Sequence, residues 1–213
     1  MPAAYTGSYA RFTCPSKKNA AVLIGADCIV GDEVRFELRT EDGETTAWLM
    51  NRFDAVIGSL SKEDTHQLRI RQAEGRSIRI LLGLIAYSET PEPGQYWGEV
   101  LIFSHTPASA EFVDPFIDRV ATALRQGVRP AIDLSESDLA ALEANPQQWI
   151  TSGRVPLPQI KAGMAVLKSR QSLTDRLVEQ ARRGNKGCAV VGWGGLLIGM
   201  AGIAALLKFL GVF

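Results

Sequence analysis

The chain has 213 residues, 46% of them hydrophobic, and its 23 Lys and Arg balance 23 Asp and Glu. Without its apolar last stretch and the approach to it, about 150 residues remain, enough for one ordinary domain, or a small domain with a helical appendage, with a sizeable core. Cys14, Cys28 and Cys188 are too few and too scattered for a disulfide framework, and no Cys/His cluster suggests a zinc site. The charge balance hides a split: residues 1–153 carry 14 basic against 21 acidic side chains, whereas residues 154–186 carry 8 against 2.

In chain order, the opening "MPAAYTGSYARFTCPSKK" has no basic region followed by a long apolar run, so no secretory signal is expected. "AAVLIGADCIV" is short, apolar and interrupted by Asp27, and reads as a strand. "EVRFELR" alternates Val34, Phe36 and Leu38 with charged neighbours, the period of a half-buried strand, and Asp42-Gly43 then turns the chain into "TTAWLM" as a hairpin. "AVIGSL" predicts another strand. Ser61 with Asp64 three residues later predicts a capped helix through about Ala73, closed by Gly75. "SIRILLGLIAYS" and "QYWGEVLIF", on either side of the turn-rich "ETPEPG", are two further strands.

After "SHTPASA" the pattern becomes helical. Phe116, Val120 and Leu124 share a face of one predicted helix that ends at Gly127, and Ser135 caps a shorter one stopped by Asn145-Pro146. "WITSGRVPLPQ" reads as a loop, and Ser172 with Asp175 caps a last helix through Arg183. The expected fold class is therefore α+β: a small β-barrel or curved antiparallel sheet with one helix over residues 8–105, a helical segment with a basic neck over 110–183, and a C-terminal transmembrane helix within 188–213.

The last assignment rests on Cys188–Leu207, 20 residues without a charge, whose helical length of about 1.5 Å per residue matches a bilayer's hydrocarbon core. Gly192, Gly195, Gly199 and Gly202 lie on one face of that helix. Glycine destabilises water-borne helices but aids close packing of membrane helices, which favours a span over a buried core helix and predicts homodimer contact through the tail. Arg182, Arg183 and Lys186 precede the tail, with only Lys208 beyond it, which predicts anionic lipid-headgroup contact and a single-pass protein with its N-terminal head in the cytoplasm.

Motifs for catalysis are lacking in the sequence. His66 and His105 are far apart, and no H-x-x-x-H, phosphate-binding G-x-x-x-x-G-K or G-x-S-x-G occurs. Asp54, Glu63, Asp64 and Glu99 are read as solubility charges, and neither enzyme activity, cofactor nor metal is expected. The remaining concentration of charge is "RIRQAEGRSIR", with Arg69, Arg71, Arg76 and Arg79 around a helix-to-strand turn. Together with Trp48, Tyr87, Tyr96 or Trp97, these arginines are candidates for binding single-stranded nucleic acid or a small polar ligand, although the acidic head disfavours nucleic acid. The leading expectation is a protein-binding adaptor or scaffold head held at the membrane, with a partner the sequence does not name.

The run "GDEVRFELRTEDGETTAWLMNRFDAVIGSLSKEDTHQLRIRQAEGRSIRI", residues 31–80, resembles a HIRAN-type small β-barrel domain in its strand, hairpin, Ile57–Ser61 step, short helix and returning strand. It spans about a quarter of the chain. Of the family's asparagine-proline and aspartate-alanine stretch, only Asn51, Asp54 and Ala55 have counterparts in this chain. The resemblance implies a barrel fold and, by analogy with the family, binding of single-stranded DNA ends.

Overall fold

A computed structural model describes residues 4–172 and Asp175. The chain divides into two compact units, residues 1–171 and 172–213. The first is α+β. Its strands β1 (Tyr5–Thr13), β2 (Arg35–Glu41), β3 (Glu44–Met50), β4 (Val56–Leu60), β5 (Ser77–Ser88), β6 (Gln95–His105) and β7 (Met164–Lys168) form one antiparallel sheet in the order β2-β3-β4-β1-β6-β5-β7. Four α-helices accompany it among the described residues: α1 (Lys17–Ile24), α2 (Lys62–Ala73), α3 (Ala110–Arg125) and α4 (Glu136–Ala144).

Of the two architectures the sequence allowed, the ladder is an open curved sheet, with β2 and β7 at its edges. The curvature is strong. The segment leading into β2 bonds to the middle of β5: Gly31 N–H donates to Leu82 O at 2.8 Å, Val34 N–H to Ile80 O at 2.8 Å, and Leu82 N–H to Asp32 O at 2.9 Å. β5 thus shares its outer edge between this segment and β7. Period-2 alternation then separates two cores. The enclosed face packs Phe12, Val34, Leu49, Ile57, Ile80, Leu82, Val100 and Ile102 with Leu23 of α1 and Leu68 of α2. The opposite face packs Tyr5, Leu81, Leu101 and Phe103 against Val113, Phe116, Ile117, Val120 and Leu124 of α3, apolar positions at helical spacing.

Local chemistry explains most element ends. Asp42 and Gly43 have φ of 50° and 80°, the left-handed pair that a two-residue hairpin turn between Glu41 and Glu44 requires. Ser61 Oγ accepts from Asp64 N–H at 3.0 Å to open α2, and Ser135 and Asp138 form a full capping box on α4. Ser172 and Asp175 bond reciprocally, as their spacing predicts, at 2.8 and 3.1 Å.

Two expectations need correction. The apolar run Ala20–Val30, read as a strand, begins inside α1. Ser16 caps that helix through Asn19 N–H at 3.2 Å, and Ala20 and Leu23, three residues apart, bury one face. A short apolar run has no period long enough to separate helix from strand, so the cap decides. The stretch 164–168, assigned to the helical segment, supplies β7. The expected tail, its glycines Gly192, Gly195, Gly199 and Gly202, and the neck residues Arg182, Arg183 and Lys186 lie outside the described residues. Among the described residues no helix is long and apolar enough to cross a membrane.

Phe12, fully buried on β1, lies between Gly58 of β4 and Gly98 of β6, and a Cβ at either glycine would fall 2.5 to 2.6 Å from its ring. Glycine at these positions makes room for an aromatic ring. Gly98→Val is therefore expected to destabilise the head by about 1–3 kcal/mol through overpacking, and Phe12→Ala by about 3–5 kcal/mol through the cavity it leaves. Urea unfolding followed by tryptophan fluorescence measures both.

Candidate functional site

The turn joining β5 to β6 is set by two hydrogen bonds of its own and one to the loop before β7. Ser88 Oγ donates to Thr90 O at 2.8 Å, Gly94 N–H to Pro91 O at 2.8 Å, and Glu89 N–H to Gly163 O at 2.7 Å. Gly94 has a φ of 92°, and a Cβ there would overlap the Tyr87 hydroxyl, so only glycine lets this ring lie across the turn. Tyr87 in turn packs on its register partner Tyr96, with ring centroids 4.9 Å apart. Between this aromatic pair and α1 runs a groove of about 680 Å³. Ala20, Ala21 and Ile24 form its helical wall, Pro91 and Pro93 line the turn side, and Lys17 and Glu92 contribute one charge of each sign. Ile24 is 42% exposed at this wall. The groove is apolar and aromatic, with electrostatics close to neutral.

The four sequence-selected arginines do not share one groove. On α2, Arg69 is exposed and Arg71 half-buried. Burial and the nearby Arg76 guanidinium pull the Arg71 pKa down. Arg76 turns towards β6, where its Nε donates to Ser104 Oγ at 2.8 Å and its Nη2 to Ser104 O at 3.0 Å. Arg79 faces α3 and binds Glu33 and Asp118 at 3.0 Å and Asp114 at 3.3 Å. Burial alone would lower its pKa, but the hydrogen bonds it donates to Glu33 and Asp118 outweigh that and raise it. The aromatic residues expected as stacking platforms have other neighbours: Trp48 lies under Arg39, Trp97 under Arg11, and Tyr87 against Tyr96.

The acidic candidates are also dispersed. Asp64 belongs to the α2 cap, and Asp54, at a φ of 61°, pairs with Arg35. Asn51 is buried and accepts from Phe53 N–H at 3.0 Å and Ala55 N–H at 3.1 Å, so it shapes the 51–55 turn. Glu99 is different. Its carboxylate meets Arg129 at 2.5 Å, where the guanidinium is 5% exposed and lies over the Tyr9 ring at 4.7 Å. Beside it, Arg11, opposite Glu99 in the β1–β6 register, covers the Trp97 ring at 3.8 Å. Sequence reasoning missed this cluster. The alternation of β1 and β6 places Tyr9, Arg11, Trp97 and Glu99 on one face, but nothing local brings Arg129 to them.

Two further polar groups fix the region between α1 and β2. Lys168 of β7 donates from Nζ to Gly25 O at 2.7 Å and Cys28 O at 3.0 Å. Burial pushes the Cys28 thiol up to about 11, against the opposing pull of the Asn51 hydrogen bond and Lys168. Cys14 is raised by burial as well. Both thiols are free, and among the described residues no group of His, Cys, Asp and Glu is arranged to hold a metal ion.

Residues 31–80 contain β2, β3, β4, α2 and the start of β5, parts of an open sheet rather than a closed barrel. No family model matches the chain, and no curated protein or solved structure matches it.

Two measurements check this electrostatic picture. Removing either partner of a buried ion pair strands the other, so Glu99→Gln and Arg129→Met are each expected to cost about 3 kcal/mol, and the double variant less than the sum. Equal and additive losses in a double-mutant cycle would show that the two do not couple. For Cys28 the folded-state pKa lies above the unfolded value, so its stabilising contribution is complete below pH 9 and is lost as pH rises towards about 11. Cys28→Ala should make the fall in stability between pH 9 and 11 shallower by about 1–2 kcal/mol.

Proposed function

We propose that this chain is a non-catalytic, tail-anchored membrane protein whose head faces the cytoplasm and binds an extended segment of a partner protein in the groove between α1 and the 89–94 turn. The observation that carries the reading is the groove's lining: a tyrosine pair, three prolines and an aliphatic helix wall, with one cation and one anion. Such a surface suits an uncharged, extended peptide, for which aromatic and proline side chains provide flat contacts at low conformational cost. A nucleic-acid backbone would call for a cationic track. The engagement of Arg76 and Arg79 with Ser104, Glu33, Asp114 and Asp118 weighs against the arginine-cluster alternative.

Sequence supports the anchoring part of the proposal. An uncharged stretch, 188–207, follows a neck carrying Arg182, Arg183 and Lys186, and its glycines suit helix pairing in lipid. The full chain should sediment with membranes and resist alkaline carbonate, whereas a chain ending at Arg183 should be soluble. Full-length protein that stays in solution without detergent would refute the anchor.

For the groove, a photo-reactive amino acid at Ile24 or Gln95 should join the head to one protein in intact membranes, and the product should disappear with Tyr96→Ala while the same probe at Lys62 gives none. Equal products from all positions would remove the groove from the reading. Salt-sensitive binding of short single-stranded oligonucleotides, abolished by Arg69→Ala with Arg71→Ala, would replace it with the nucleic-acid alternative.

A further inference from the structure

Among the described residues, large apolar side chains are strongly exposed at seven positions, and four of these, Ile150, Leu157, Ile160 and Leu167, fall in one short stretch. The same region is unusual in charge. Residues 144–174 contain no Asp or Glu, but include Arg154, Lys161, Lys168 and Arg170, in a head that is otherwise acidic. Lys168 is turned inward to the carbonyls of Gly25 and Cys28. Arg154, Lys161 and Arg170 are exposed. The backbone holds this surface at both ends. Ala131 N–H donates to Gly153 O at 3.0 Å and Val155 N–H to Arg129 O at 2.8 Å, while Met164 N–H closes a turn on Lys161 O at 3.0 Å just as β7 begins. Between these points, residues 155–161 have neither helix nor strand.

We infer that residues 150–170 form a lipid-facing surface with which the head lies against an anionic bilayer, Leu157, Ile160 and Leu167 entering the headgroup boundary while Arg154, Lys161 and Arg170 meet its negative charge. Aliphatic side chains interleaved with cations and free of acids match that boundary, where apolar burial and attraction to anionic lipid add. In sequence the stretch runs on into the basic neck, so attraction to anionic lipid continues along the chain. This surface is distinct from the groove and does not require the tail to span the membrane.

Trypsin reads the contact on the full chain, because Arg154 and Lys161 are exposed cleavage points flanking an irregular loop. In vesicles of phosphatidylcholine and phosphatidylserine, cleavage after these residues should slow by about tenfold or more relative to neutral vesicles or detergent, given three cations near the charged surface. Cleavage after Lys62 and Arg69 on α2 should be unchanged and reports that the head is accessible. Leu157→Ser with Ile160→Ser, both at exposed positions, should abolish the protection, as should high salt. Equal rates in anionic and neutral vesicles would overturn the inference, and protection that appears only with an added protein would make this a protein interface. Where trypsin spares the loop even in detergent, Ile160→Trp provides a second reading: brominated lipid should quench its fluorescence at least about twofold more in anionic than in neutral vesicles, and equal quenching would overturn the proposal. Carbonate extraction of the same samples tests the tail separately, since a chain that is extracted can still show lipid-dependent protection at Arg154 and Lys161.

Discussion

The backbone contact between residues 31–34 and the middle of β5 governs the shape of the head. An antiparallel sheet in which consecutive strands merely pair could stay nearly flat, with α1 and α2 on whichever face was apolar. In this chain Gly31 and Val34 donate to β5 and Asp32 accepts from it, which brings the start of β2 to the far side of the sheet and gives the core an inside. Val34, Ile80 and Leu82, next to those bonds, belong to the same enclosed cluster as Phe12 and Leu68. Gly31 has a φ of 86° and lies so close to the Ala121 carbonyl of α3 that a Cβ would meet it at 2.6 Å. One glycine therefore serves the sheet's curvature and the seating of a helix on its other face.

This curvature also explains why charged residues chosen from sequence have structural partners. Arg79 and Glu33 are 46 residues apart and meet across the closure, and α3 then adds Asp114 and Asp118. A cluster of arginines in sequence looks like a free cationic patch only while the positions of acidic residues on distant elements are unknown. Glu99 and Arg129 make the same point for a carboxylate. Their pairing depends on the loop after α3 returning to the β6 face, where Tyr9 and Tyr5 hold its carbonyls through hydrogen bonds to Pro130 O at 2.9 Å and Ile132 O at 2.8 Å.

Elements whose signals are local were legible in the sequence. The Asp42-Gly43 turn, the Ser61 and Ser135 caps, the alternation in β2 and the turn-rich "ETPEPG" between β5 and β6 each state their conformation within a few residues. The apolar face of α3 did so through its period. What escaped was non-local or too short to show a period. α1 has eight residues, and β7 has five with only alternate partial burial; the latter is a strand because β5 offers it an edge. The groove escaped for the same reason, since its walls come from α1 and from a turn some 70 residues later. Tyr87 and Tyr96 were noticed as aromatic residues, but only the β5–β6 register makes them a pair.

β7 is the last strand of the sheet to be synthesised, following α3 and α4, yet it covers Ile85–Ser88 in the middle of the chain. Until residue 168 has left the ribosome, that stretch of β5 presents unpaired backbone donors and acceptors next to a strongly apolar strand, the kind of edge that recruits strands from other molecules. A nascent or prematurely terminated chain would carry this liability even with both cores nearly complete. The final five-residue strand thus works as a protective cover whose arrival separates an aggregation-prone head from a self-contained one.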